Sequence, residues 1–195
     1  VENRKVRPMI YVFVNGLGDT FFLDYHDGLV KAESMIVREL IPFIDGRYRT
    51  IASRDGRAID GFSMGGGGCL RLAIKYPELF SSVVSYGAAL IRADRLKEGD
   101  ARFGTREYFD RNSPWTLAVQ NADRVRESVH IRMVCGEQDG LYKANVEFKE
   151  LLATLRIAVD WVSVPGVAHD TTGLYRRVGL ESLKFIERGF ASRGQ

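Results

Sequence analysis

The chain has 195 residues, of which 45% are hydrophobic, 11% aromatic and 27% charged. This composition excludes collagen-like, low-complexity and disordered chains. Its 28 basic and 25 acidic side chains leave a formal net charge of +3, and they are interspersed along the chain, which argues against a nucleic-acid partner.

Short apolar runs alternate with helical patterns. Met9–Val14 is continuous, β-branched and aromatic, and ends at Asn15-Gly16, the pattern of a fully buried strand. Residues 29–44 predict a helix with a stop near Pro42 and Gly46. Ala58–Phe62 predicts a short strand, 64–76 a helix ending before Pro77, and Ser82–Tyr86 another strand. Residues 89–126 are less periodic, with helical pieces around 105–111 and 115–125. Val129–Cys135 predicts a strand. Over 142–156, Phe148, Leu151, Leu152 and Leu155 recur at helical spacing. Val159–Val164 predicts a last strand and 172–190 a last helix. The alternation predicts an α/β fold: a single domain over 1–195, with a mainly parallel sheet of about five strands covered by helices on both faces. Ligands in such sheets bind at the carboxyl ends of the strands.

Two cysteines, Cys69 and Cys135, stand outside any CxxC pair and read as buried thiols. No stretch reaches the ~18 consecutive apolar residues of a membrane span, so no membrane partner is expected. The first residues are charged with no apolar run behind them, unlike a signal peptide. The chain does not begin with Met, as a processed or cut product would not, and the compartment is not legible from this end.

The strongest motif is Gly61-Phe62-Ser63-Met64-Gly65, a G-x-S-x-G placed between a predicted strand and a predicted helix, as a nucleophile elbow requires. Such a turn strains the serine backbone and presents its hydroxyl at the top of the sheet. Side chains at 61 and 65 are expected to clash there. The Met64 amide, at the helix N-terminus, can face a developing oxyanion. The rival reading is a phosphate loop, since Gly65–Gly68 are four consecutive glycines at a helix start, although G-x-x-x-x-G-K-[ST] is absent.

A serine nucleophile needs a base. His130 opens an apolar strand and reads as structural, and His26 lies in a polar loop. His169 follows the last strand, on the same sheet edge as Ser63, and is favoured on position. The base needs an orienting acid. Asp139 follows a strand at that edge, with Glu137 as its nearby rival. Asp160 stands at a strand start, the wrong edge, and Asp170 would have to fold back on its neighbour. The order Ser63, Asp139, His169 is that of an α/β-hydrolase. No metal or cofactor is needed.

Seven stretches then resemble one esterase group of α/β-hydrolases. They are Glu39–Asp45, Tyr48–Thr50, Gly61–Gly66, Lys75–Phe80, Asn112–Trp115, Gly136–Asp139 and Gly166–His169. The group includes feruloyl and acetylxylan esterases of carbohydrate esterase family one, esterase D (S-formylglutathione hydrolase) and the mycobacterial mycolyltransferases. The resemblance covers nearly the whole chain. It implies Ser63 as nucleophile, Asp139 as acid, His169 as base, and the Met64 amide as one oxyanion donor. It also implies a small-molecule or polysaccharide-linked ester as substrate.

One departure matters. In this group a glycine-rich loop after an earlier strand gives the second oxyanion amide, and the 47 residues between Gly16 and Ser63 hold one clear helix and no good strand. Either the chain is an N-terminally shortened hydrolase, or Asn15–Gly18 has taken over that role. A missing donor costs about 10²–10³ in turnover, and a missing strand leaves a sheet edge open to self-association. Three readings stay open: a serine carboxylester hydrolase for feruloyl, acetyl or other small acyl esters; an acyltransferase or thioesterase with the same triad; and a weakly active or non-catalytic module. Trp115 lines an aryl pocket or packs in the core.

Overall fold

In the computed structural model, residues 5–96 and 99–191 are described. Four strands, β1 (Ala58–Phe62), β2 (Ser82–Tyr86), β3 (His130–Gly136) and β4 (Val159–Val164), pair in parallel in the order β1-β2-β3-β4. Parallel neighbours require crossovers. Helix α3 (Met64–Lys75) links β1 to β2. Helices α4 (Arg106–Asn112), α5 (Pro114–Gln120) and α6 (Ala122–Ser128) lie between β2 and β3. Helix α7 (Tyr142–Thr154) links β3 to β4, and α8 (Thr171–Ala191) follows β4. Alternation along the strands splits the core into two layers. Val83, Ile131 and Met133 meet Leu70 and Ile74 of α3, Leu117 of α5, and Phe148 and Leu152 of α7. Val84, Tyr86 and Val134 meet Leu174 and Ile186 of α8. Helices therefore cover both faces, and every strand's carboxyl end opens on one edge.

The predicted strand over Met9–Val14 is not formed, so the sheet has four strands where about five are expected. No described backbone hydrogen bond joins this segment to another. Met9 packs with the α8 layer while Val14 packs with the opposite layer, so the segment touches both faces of the sheet without pairing to it. Ile10, Tyr11, Val12 and Phe13 are exposed. Strand propensity needs a ladder partner to be realised, and among the described residues the outer edge of β1 pairs with nothing.

The first helical segment departs from expectation at Pro42. It runs as α1 (Ala32–Ser34), a π-helical stretch (Met35–Leu40) and α2 (Ile41–Arg47), so Pro42 lies inside it. Proline removes one i→i−4 bond and crowds the preceding turn. The π stretch directly before it relieves that crowding: the Ile41 amide bonds the carbonyl of Ile36, five residues back.

Glu33 anchors this segment to α3. Its carboxylate is buried and accepts from Arg71 and Tyr76, and from Lys75 at 2.7 Å. Arg71, itself 3% exposed, also donates to the Phe22 carbonyl at 2.5 Å. Burial alone would raise the Glu33 pKa. The charges of Arg71 and Lys75, with hydrogen bonds from Lys75 and Tyr76, outweigh it and bring the value down from 4.5 to about 2. A folded pKa below the unfolded one contributes stability above pH ~4.5 that is lost as the pH falls toward ~2. Glu33→Gln is therefore expected to cost about 3–5 kcal/mol at pH 7, because it leaves Arg71 buried without its counter-charge. Urea unfolding checks this, and the variant's stability should also vary less than the wild type's between pH 5 and pH 2.

Candidate active site

Three loops meet at the carboxyl edge of the sheet. Ser63 ends β1 and begins α3, Asp139 lies three residues beyond β3, and His169 lies five beyond β4. Ser63 adopts φ +58° and ψ −116°, a region that side chains rarely occupy, which lifts its hydroxyl off the strand direction. Two backbone hydrogen bonds hold it there. Its amide donates to the Tyr86 carbonyl at 2.9 Å, and its carbonyl accepts from the Ala89 amide at 2.9 Å.

The glycines around it serve close approach. A Cβ at Gly61 would lie 2.4 Å from the Gly65 carbonyl oxygen, and one at Gly67 would lie 2.3 Å from the Ala89 carbonyl oxygen. Gly65 does not meet the expected clash, since a Cβ there would make only ordinary contact with Phe22 at 3.8 Å. Gly66 and Gly67 let the backbone of α3 pack directly on the turn after β2, and Gly68 makes room for the Phe22 ring. Backbone packing thus accounts for the glycine run that otherwise suggests a phosphate loop.

His169 Nε2 lies 2.8 Å from Ser63 Oγ, and its Nδ1 lies 2.7 Å from Asp139 Oδ2. A carboxylate can only accept, so the proton sits on Nδ1 and Nε2 is left to accept from the serine hydroxyl. The other carboxylate oxygen of Asp139 accepts from the Leu141 amide at 2.8 Å. The Asp139 side chain is 1% exposed and the His169 side chain 38%, so the line runs from the interior toward solvent. Phe62 lies against the imidazole, with ring centroids 4.5 Å apart. The Asp139 and His169 loops are tied by the Gln138 amide donating to the Val167 carbonyl at 3.0 Å.

The rival residues lie elsewhere. Glu137 accepts from Ser163 Oγ at 2.8 Å, and Asp160 pairs with Arg132 within the sheet. Asp170 sits over Gly173 in the first turn of α8. His26 stacks edge-on to Tyr108, and His130 is exposed at the start of β3, the opposite end of that strand from Asp139. Cys69 and Cys135 are buried free thiols. Burial, reinforced by the nearby Asp139 charge, pushes Cys135 up to about 12, so neither thiol competes as a nucleophile.

Met64, Gly65 and Gly66 begin α3, and the first helical bond is donated by Gly67 to the Ser63 carbonyl, so their amides have no acceptor within the helix. The Asn15–Gly18 loop packs against this end: a Cβ at Gly16 would lie 3.2 Å from Met64 Cε and 3.1 Å from Phe22 Cζ. The Leu17 amide is committed to Asn15 Oδ1 at 2.9 Å. Trp115 packs edge-on to Phe148 at 5.0 Å, the core role, and borders an open cleft of about 620 Å³ whose lining includes Arg92, Arg106 and Phe109 but none of Ser63, Asp139 and His169. Among the described residues no group of His, Cys, Asp and Glu could hold a metal ion, and no helix is long and apolar enough to cross a membrane.

Gly87 escaped the sequence reading. It follows β2 with φ +48°, and a Cβ there would lie 2.8 Å from Asp139 Oδ2. A glycine closing a buried strand of a parallel sheet was the available signal. Gly87→Ala is expected to destabilise the fold by about 1–3 kcal/mol and to push Asp139 away from His169. Urea unfolding reads the first effect, and loss of the downfield Nδ1 proton resonance of His169 in ¹H NMR reads the second. Unchanged stability together with an unchanged resonance would contradict this packing.

The chain is similar to known esterases. The family model described as "Putative esterase" matches residues 26–171. An esterase of Mycobacterium tuberculosis strain H37Rv is 46% identical over 63 residues, covering 32% of this chain and 14% of that protein. An endo-1,4-beta-xylanase/feruloyl esterase of Xylanibacter ruminicola is 32% identical over 82 residues, covering 41% of this chain and 11% of that protein. Among solved structures, a ferulic acid esterase superposes with a TM-score of 0.73 at 25% identity, covering 87% of this chain and 64% of that one. The chain thus spans under two thirds of that esterase, and its matches cover small parts of the two longer relatives. With the family model aligned across all four strands and all three loops of the site, the chain belongs to this esterase family and has an α/β-hydrolase-like fold.

Proposed function

We propose that the chain is a serine carboxylester hydrolase in which Ser63 is the nucleophile, His169 the base and Asp139 the orienting acid. The observation that carries this reading is the continuous hydrogen-bonded line Asp139–His169–Ser63 at the N-terminus of α3. Ser63 Oγ attacks the ester carbonyl carbon while His169 Nε2 takes the hydroxyl proton. Asp139 holds the imidazolium through Nδ1. The negative oxygen of the tetrahedral intermediate faces the Met64 amide, and the helix N-terminus favours that charge. Collapse returns the proton from Nε2 to the departing alcohol and leaves an acyl-Ser63 ester. Water, deprotonated by His169, then releases the acid and restores the serine.

The substrate class we favour is a small or aromatic acyl ester, feruloyl or acetyl among them. The named activities of the ferulic acid esterase and of the xylanase/feruloyl esterase support it. The second oxyanion donor is sought in the Asn15–Gly18 loop, which packs against Met64. Transfer to an acceptor other than water uses the same steps and differs only in what deacylates Ser63.

Hydrolysis of p-nitrophenyl acetate and methyl ferulate by the wild type and by Ser63→Ala tests the reading. The variant should lose about 10³-fold or more in kcat with its fold intact. Activity that survives the substitution would overturn the assignment. No preference for methyl ferulate over short aliphatic esters would overturn the feruloyl class alone. A wild type about 10²–10³ slower than expected, yet labelled at Ser63 by a fluorophosphonate, would place the deficit in the second oxyanion donor.

A further inference from the structure

Asn145 is fully buried on α7, on the same stripe as Phe148 and Leu152. An apolar residue would be ordinary at such a position, and burying an amide there costs free energy unless it is hydrogen-bonded. Its side chain makes three hydrogen bonds. Oδ1 accepts from the Ala88 amide at 3.1 Å, and Nδ2 donates to the Ala88 carbonyl and to the Leu141 carbonyl, both at 2.9 Å.

Those partners lie on the two turns that hold opposite ends of the line. Ala88 is the middle of the turn after β2, whose flanking residues grip Ser63: Tyr86 accepts from the Ser63 amide and Ala89 donates to the Ser63 carbonyl. Leu141 belongs to the turn after β3, and its own amide donates to Asp139 Oδ1 at 2.8 Å. One side chain thus clamps both backbone polar groups of Ala88, behind the nucleophile, while bonding the residue that holds the acid. Gly87 closes the remaining gap, because Asp139 lies directly over it.

We infer that Asn145 is a positioning residue that sets the distance between Ser63 and Asp139, and so the room in which His169 bridges them. The inference rests on the hydrolase reading above for its kinetic consequence, but not for its geometry. It differs from a purely structural role in one respect: a residue that only fills the core would affect stability without selectively disturbing the line.

The test compares Asn145→Leu, which keeps the volume and removes all three bonds, with Asn145→Asp, which keeps the acceptor toward Ala88 and loses both donors. Phe148→Leu, on the same buried stripe of α7, serves as the destabilised control. On p-nitrophenyl acetate, Asn145→Leu should lose about 10–10²-fold in kcat with KM changed less than about twofold, since small misplacements of reacting groups cost about this much. Asn145→Asp should fall between it and the wild type. Fluorophosphonate labelling of Ser63 should slow in parallel, and the downfield His169 Nδ1 proton should broaden or vanish. Phe148→Leu should keep kcat and that resonance despite its lower melting temperature.

A kcat for Asn145→Leu no lower than that of the control, with the resonance retained, would overturn the inference. Should Asn145→Leu fail to fold, Asn145→Asp decides by the same two readouts. If the wild type hydrolyses no ester, or Ser63→Ala stays active, the hydrolase reading falls. The resonance in Asn145→Asp and in the control still decides the positioning claim.

Discussion

The backbone of Ser63 is the constraint around which the rest is built. A non-glycine residue at φ +58° costs on the order of 1–3 kcal/mol and persists only where its surroundings over-determine it. Here the compensation is the turn after β2, which takes the Ser63 amide at Tyr86 and returns a donor from Ala89. That bracket works only if α3 and the turn approach at backbone distance, and this is why positions 66 and 67 carry no side chain. The same turn is held from behind by Asn145 and capped from above by Asp139 over Gly87. Strain at Ser63 and order in Asp139 are thus two ends of one packed unit.

A second unit holds the near wall. Arg71 lies two turns into α3, and its guanidinium joins Glu33 to the Phe22 carbonyl. Phe22 then lies across the glycine face of the same helix and against Gly16. The buried ion cluster therefore does more than neutralise itself. It pins the Asn15–Leu23 segment, which lacks regular secondary structure, beside Met64. Buried ion pairs are weak sources of net stability and better justified as sources of specificity, and here what they specify is the place of a loop at the mouth of the site.

How much of this was legible follows from the range of the forces involved. The strand over 82–86 is buried at every position and a mostly apolar run marks it, whereas those over 58–62 and 159–164, at the sheet edges, are short β-branched and aromatic segments that still carry Asp60 and Asp160. Ser63, Asp139 and His169 were legible because topology alone brings strand ends to one edge, and a residue's offset from its strand places it there. Met9–Val14 has the same local composition, yet strand formation depends on a neighbour that local composition does not report. The stop near Pro42 is not realised, because the π stretch before it accommodates the ring, and the segment ends instead at Arg47, one residue past Gly46. Gly87 and Asn145 act through contacts across 52 and 57 residues. Asn145 left one faint trace, a polar residue at i of an i, i+3, i+7 apolar stripe with Phe148 and Leu152, the kind of local inconsistency that marks functional sites.

The division has a chemical meaning. The groups that would make and break bonds stand on strand ends and helix starts, tied to the interior by backbone hydrogen bonds and residues such as Asp139 and Asn145, 5% and 0% exposed. The Asn15–Leu23 loop and the 89–113 stretch are tied down mainly by side chains far apart in sequence: the Arg71 cluster on the Phe22 carbonyl, Tyr108 on the Asp24 carbonyl, Asn112 with Lys75, Arg92 with Glu147, and the aromatic group of Leu23, Phe103 and Phe109. Offsets from strand ends therefore give away Ser63, Asp139 and His169, whereas the arrangement of these two segments depends on side-chain partners that local sequence does not report.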